Sequence, residues 1–129
     1  MDIKKEELVI ELTKLLKDKG YKKKKLTWIK YNNDIGVVFN IQSSQYGNSY
    51  YVNLGVYIKA IGNKEYPNIS DCQLQQRVNV EIKNIDFLIN VIDKWEEWYG
   101  TEDKIRMKIN EKKMPMLTDR KVYAYFLCL

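Results

Sequence analysis

Apolar residues recur along the chain with two different periods, and the changes of period mark out its elements. Over residues 4–19, Leu8, Leu12, Leu15 and Leu16 fall at i, i+4, i+7 and i+8, the single stripe of an amphipathic helix. Asp2 is placed to cap this helix, with Glu6 and Glu7 in the first turns and Lys17 and Lys19 near the end. Gly20 is the residue expected just past the last turn. The basic run Lys22, Lys23, Lys24 and Lys25 then leads into a short strand over residues 26–31, and Asn32-Asn33-Asp34 is turn chemistry.

The next two segments alternate with period two. Ile35, Val37, Phe39 and Ile41 lie on one side; Gly36, Val38, Asn40, Gln42 and Ser44 lie on the other. Tyr46-Gly47-Asn48-Ser49 reads as a hairpin connection. On the returning strand, residues 50–59, Tyr50, Val52, Leu54, Val56 and Ile58 face inward, and Tyr51, Asn53, Gly55, Tyr57 and Lys59 face outward. A polar loop through Gly62 and Pro67 precedes a fourth strand over residues 71–82. It turns Cys72, Leu74, Val78, Val80 and Ile82 inward and Gln73, Gln75, Arg77 and Asn79 outward; Gln76 interrupts the inward row and needs a partner if buried.

The remainder is helical in period. Ile85, Leu88, Ile89, Ile92, Trp95 and Tyr99 recur at three and four, with Gly100 as a stop. Residues 85–91 also read as a strand, because they are rich in β-branched side chains. Thr101-Glu102-Asp103 restarts a helix to about residue 113, Pro115 interrupts, and Thr118-Asp119 can cap a last segment carrying Val122, Tyr125 and Phe126. The expected architecture is α+β: an antiparallel sheet of about four strands in a meander, with N-terminal and C-terminal helices packed on one face. The helices would cover Phe39, Ile41, Val52, Leu54 and Val56 and leave the opposite face open. No linker or repeat divides the chain, so residues 1–129 read as a single domain.

Composition adds little to this fold and more to the chemistry. The chain has 10 tyrosines and 3 tryptophans, side chains that suit half-buried sheet surfaces and binding faces. Its 22 basic and 17 acidic residues give a net charge of +5, compatible with nucleic acid, an anionic surface or an acidic protein as partner, but the acids are interspersed among the bases. Two cysteines, Cys72 and Cys128, form no CxxC pair, the first residues carry no signal-peptide pattern, and no apolar stretch approaches the ~20 residues that cross a bilayer. The expectation is a reduced, cytoplasmic protein without a membrane segment.

There is no histidine, which removes Ser-His-Asp and Cys-His nucleophiles, the commonest general base and histidine-ligated zinc. No glycine-rich phosphate loop is present. The acid pairs Glu96-Glu97 and Glu102-Asp103 fall at helix ends, where capping and solvation account for them, and Cys72 reads as buried packing. No catalytic residue, metal ligand or cofactor is therefore expected.

Function is expected on the outer sheet face instead. Asn40, Gln42, Tyr51, Asn53, Tyr57 and Arg77 share it by parity, an amide- and tyrosine-rich surface with one arginine, suited to a protein partner. The plain alternative is a solvated sheet face built from good strand formers. A second class is a nucleic-acid binder using Lys22 to Lys25 on phosphates, with Trp28 and Tyr31 as stacking faces, against a solvated loop at the carbonyl end of the first helix. A third is an enzyme holding an anionic substrate at Arg77.

Several short motifs resemble a known family. They are Lys19-Gly20-Tyr21-Lys22-Lys23-Lys24 followed by Trp28 and Tyr31, and the segments Val38-Phe39-Asn40-Ile41-Gln42-Ser43-Ser44 and Val52-Asn53-Leu54-Gly55-Val56. Asp71-Cys72 followed by Arg77, and Met114-Pro115-Met116-Leu117 before a short helix, belong to the same scheme. Together they are similar to a bacterial family catalogued as domain of unknown function 4304. The resemblance implies a compact, standalone bacterial α+β domain and brings no established activity. The polar residues matching its pattern, Asn40, Gln42, Asn53 and Arg77, all fall on the outer face by parity. The most concrete expectation is a non-enzymatic binding protein, in its most specific form an immunity protein that neutralises a toxin.

Overall fold

The leucine stripe forms α1, Lys5–Asp18, in a computed structural model that describes residues 4–43, 50–78 and 84–127. Leu8, Leu12 and Leu16 are buried along one side. Lys4 occupies the cap position without a side-chain cap bond, and the expected cap Asp2 lies outside the described residues. The helix ends through Gly20 at φ 92°, a left-handed position that glycine takes without steric cost. Gly20 N–H donates to Lys17 O at 3.0 Å and Tyr21 N–H to Leu16 O at 2.8 Å, the paired bonds that close a helix on glycine.

A six-stranded antiparallel sheet follows, in the order β1 Lys22–Lys24, β2 Thr27–Asn32, β3 Ile35–Ser43, β4 Tyr50–Ile58, β5 Leu74–Arg77 and β6 Leu117–Thr118. The expected four strands thus become six. The lysine run is the first addition. It folds back through a two-residue turn at Lys25, φ 56°, and pairs with β2 as an edge strand, where lysines stay solvated and discourage further pairing. The second addition is β6, which returns after two helices to pair with β5. That contact spans some forty residues of sequence and leaves no local periodicity to read.

The fourth expected strand is shortened to β5 because a 3₁₀ turn, Ile69–Asp71, occupies its start. Gln73 is buried and uses its amide on the backbone of Ile58, accepting from the N–H at 2.7 Å and donating to the carbonyl at 3.4 Å. Cys72 and Gln73 therefore leave the alternation. Cys72 packs with Val38 and Tyr57 on the outer side, not in the inner row, and Gln73 is not on the open face. Gln76 does stand opposite Leu54 in the inner row, but it is solvent-exposed and needs no protein partner. Ser44, the turn Tyr46-Gly47-Asn48-Ser49, Asn79, Val80, Ile82 and Cys128 lie outside the described residues.

The C-terminal half supplies α2 Ile85–Tyr99, α3 Glu102–Asn110 and α4 Arg120–Leu127. Residues 85–92 are helical; Asn84 Oδ1 caps them by accepting from Phe87 N–H at 2.9 Å, and Leu88 and Ile92 gain burial that outweighs β-branched preference. Thr101 caps α3 through Lys104 N–H, and α3 ends before residue 113 as the chain turns left-handed at Lys112. Asp119 Oδ1 accepts from Lys121 N–H at the start of α4. All four described helices pack on the inner face: Leu12, Ile92, Ile105 and Val122 join Trp28, Val37, Phe39, Leu54, Val56 and Leu74 in one core. Trp95 fixes α2 centrally by donating its indole N–H to Gly55 O at 3.1 Å. No described helix is long and apolar enough to cross a membrane.

Candidate functional site

The outer face divides into two halves. Along β3 and β4 the pairing opposes Asn40 to Asn53, Val38 to Gly55 and Gly36 to Tyr57, so the polar pair and the apolar pairs share one side of the sheet. The chain after β4 crosses the apolar half. Gly55 makes room for it: a Cβ there would lie 2.7 Å from Ile69 Cδ1 and 2.8 Å from Cys72 Sγ. Val38, Tyr57 and Cys72 form a second small core beneath the crossing, with Ile29, Tyr31 and Ile69 against it.

That crossing removes one expected contact residue. Tyr57 lies on the outer face as parity requires, but it is 2 % exposed, and its hydroxyl accepts from Lys64 N–H at 2.6 Å. Gln75 is likewise tied to the loop, donating to Cys72 O at 2.9 Å. Burial pushes the Cys72 thiol upward, reinforced by the charge of Asp71, and Sγ–H faces Asn68 O at 3.6 Å. This is a neutral packing group, not a nucleophile.

Among the described residues no segment crosses the other half, which brings together Asn40, Gln42, Tyr51, Asn53 and Arg77. Arg77 Nε donates to Asn53 Oδ1 and its Nη2 to Gln42 Oε1, both at 3.1 Å. Asn53 Nδ2 donates to Asn40 Oδ1 at 3.1 Å and to Gln42 Oε1 at 3.2 Å. Asn40 Nδ2 donates in turn to Thr27 Oγ1 at 3.0 Å and Leu26 O at 3.3 Å. Donors therefore run in one direction, from the guanidinium across β4 and β3 to β2. Each amide oxygen in the chain points back towards the cation, so the bonds polarise one another. Asn53, at the centre, is 7 % exposed, and the Arg77 guanidinium lies over the Tyr51 ring at 4.2 Å.

Thr27 belongs to this row although the outer-face pattern alone does not single it out. The signal was available: the two-residue turn Asn33-Asp34 opposes Asn32 to Ile35, and counting back places Thr27 opposite Asn40. Lys24 extends the row by one strand, opposite Thr27.

The lysine run does not assemble a stacking site. Lys23 lies over Trp28, which is 1 % exposed and belongs to the inner core opposite Phe39, so its ring is closed to a base. Tyr31 is half-buried against the second small core with Lys59 Nζ 4.0 Å from its ring centre, and burial raises its phenol pKa. Lys24 rests over Tyr66 at 5.0 Å. Of the acid pairs, Glu96 accepts from the Tyr21 hydroxyl and from Lys30 Nζ at 3.4 Å, tying α2 to the sheet, while Glu102 and Asp103 open α3. A surface depression of about 170 Å³ is lined by Tyr57, Lys64, Asp71, Gln73, Asp119 and Lys121, and by neither Arg77 nor its amides. Among the described residues no group of three or more carboxylates or thiols could hold a metal ion.

Among curated proteins and solved structures, none matches the chain. A family model does, over residues 12–119, which takes in α1 from Leu12, the whole sheet and the amide–arginine row. The chain belongs to the family described as Domain of unknown function (DUF4304).

Proposed function

We propose that this protein is a non-enzymatic binding protein that engages a protein partner through the open half of its outer sheet face. One observation carries the reading: Asn40, Gln42, Asn53 and Arg77 hold one another in a continuous hydrogen-bonded chain, with Tyr51 supporting the arginine. Amides and an arginine on a merely solvated face gain little from being locked, since water satisfies them and ordering costs side-chain entropy. Locked groups favour association, because the entropy is spent before the partner arrives. Tyrosine and arginine are also the side chains that most often anchor interfaces. Neutralisation of a toxin inside the producing cell is the most specific form of this function, motivated by the small size of the chain and its lack of histidine.

Affinity purification from the source organism, with the tagged chain as bait, is expected to recover a stoichiometric protein partner. Each of Tyr51→Ala, Asn53→Ala and Arg77→Ala should then weaken its binding by at least about ten-fold, the effect of losing an interface anchor. A partner bound equally well by all three variants would remove this face as the binding surface.

A further inference from the structure

We propose that Arg77 receives a carboxylate of the protein partner, an Asp or Glu side chain or a chain terminus, end-on in its distal N–H fork. This rests on the sheet-face reading and names the chemistry of its central contact. A guanidinium has five N–H groups in one plane. Nε and one hydrogen of Nη2, the side edge of that plane, are committed to Asn53 and Gln42. The remaining hydrogen of Nη2 and the two on Nη1 are left, and the first of these forms with one Nη1–H the parallel pair that a carboxylate takes bidentately. Tyr51 lies against the face of the group at 4.2 Å, so neither rotation nor tilt is free.

The site is a cation without a counter-ion among the described residues. The ion pairs described there are Lys19–Asp93, Lys30–Glu96 and Lys108–Glu111, all on other parts of the molecule. Asn53 and Gln42 orient the arginine but, being neutral, leave its charge uncancelled, and the side chain is exposed. A flat monoanion with two coplanar oxygens matches one isolated fork. A nucleic-acid backbone presents repeated phosphates and is held by several cations in reach of one another. Along this row the next cation is Lys24, four strand spacings or about 19 Å away, and turned onto Tyr66.

The test is a titration of isotope-labelled protein followed by NMR at the Arg77 Nε–H and the Asn53 and Gln42 side-chain amides. The probes are an end-blocked peptide with one glutamate, its glutamine isostere, and inorganic phosphate. The glutamate peptide should produce saturable shifts at all three side chains, at least ten-fold more tightly than the glutamine peptide. Arg77→Lys, folded by its amide spectrum, should weaken that binding at least ten-fold although the charge is kept, because the fork is lost. Equal response to the glutamine peptide, undiminished binding by Arg77→Lys, or saturation by phosphate at ten-fold lower concentration than the glutamate peptide would overturn the carboxylate assignment. The native partner separates the two readings. If Tyr51→Ala and Asn53→Ala lose it while Arg77→Lys keeps it, the face stands and the carboxylate contact falls; if all three keep it, both fall.

Discussion

The two halves of the outer sheet face have the same strand parity and opposite fates. Around Val38, Gly55 and Tyr57 the chain after β4 lies down on the sheet, and contact is apolar and close-packed. Around Asn40, Asn53 and Arg77 the described chain leaves the face uncovered, and contact is a directed chain of hydrogen bonds. Only a few residues along the same strands separate them. The difference lies in what each half can offer a loop. Gly55 beside Val38 leaves a shallow floor into which Ile69 and Cys72 fit, and Gly36 leaves room for Tyr31, whereas amides facing outward would lose their hydrogen bonds to water if covered by apolar chain. Covering one half and exposing the other is thus a property of side-chain volume and polarity, not of strand geometry.

The largest effect should come from filling the floor. Gly55→Val places methyl groups where Ile69 and Cys72 already sit, closer than van der Waals contact allows, so the loop must lift. Overpacking of this kind costs about 3 kcal/mol, read as a lower urea midpoint at unchanged slope. Gln42→Leu puts a branched apolar side chain of similar size on the open half, where nothing among the described residues clashes with it. It removes only the Oε1 that accepts from Asn53 and Arg77, at an exposed position, and should cost no more than about 1 kcal/mol. Equal losses from the two substitutions would mean that the halves do not differ in packing.

This contrast also marks how far the sequence could be read. Alternation along β3 and β4 placed both faces correctly, and the open-face residues Asn40, Gln42, Tyr51, Asn53 and Arg77 do come together. Tyr57 follows the same alternation and is nevertheless buried, because parity states which side a residue faces and not what lies over that side. Cys72 and Gln73 were misplaced for a related reason: a 3₁₀ turn ends at Asp71, and strand period applies only from Leu74. Trp28 was legible only through its pairing with Phe39, which puts it in the core. The lysine run and Leu117–Thr118 are strands by virtue of their neighbours, and pairing partners remote in sequence leave no trace in local composition.

A smaller effect separates the halves by pH. The Cys72 thiol lies in the covered half, and burial first, then Asp71, raises its pKa above the ordinary 9.0. A raised folded-state value means that the fold favours the neutral thiol. Its contribution is fully present below pH 9 and is lost as pH rises above that value. The decline approaches about 1.4 kcal/mol per pH unit for one proton once the unfolded thiol is ionised. Unfolding of the native protein and of Cys72→Ala, compared between pH 8 and pH 10, should show the steeper decline in the native protein alone. Parallel curves would mean that the thiol reaches solvent and the loop does not close over it. The window stops there because tyrosines follow: burial pushes Tyr99 up to about 12 from 10.0, adding its own alkaline loss.

The smallest effect tests the open half, and it bears most directly on function. Arg77 is exposed, but its removal leaves the Oδ1 of the buried Asn53 without a donor, so Arg77→Met alone should cost about 1 kcal/mol. Asn53 is buried and serves as acceptor for Arg77 and donor to Asn40 and Gln42, so Asn53→Ala should cost about 1–2 kcal/mol, largely from the partners it leaves unsatisfied. What matters is the double mutant. If the chain of donors is a unit, the two substitutions together should cost less than their sum, by about 1 kcal/mol, because the second removes a bond the first has already broken. Strict additivity would mean that the guanidinium is not held by Asn53 in solution. The entropy of fixing it would then fall on the partner at the moment of binding, and the physical reason for preferring this half as the binding face would be gone.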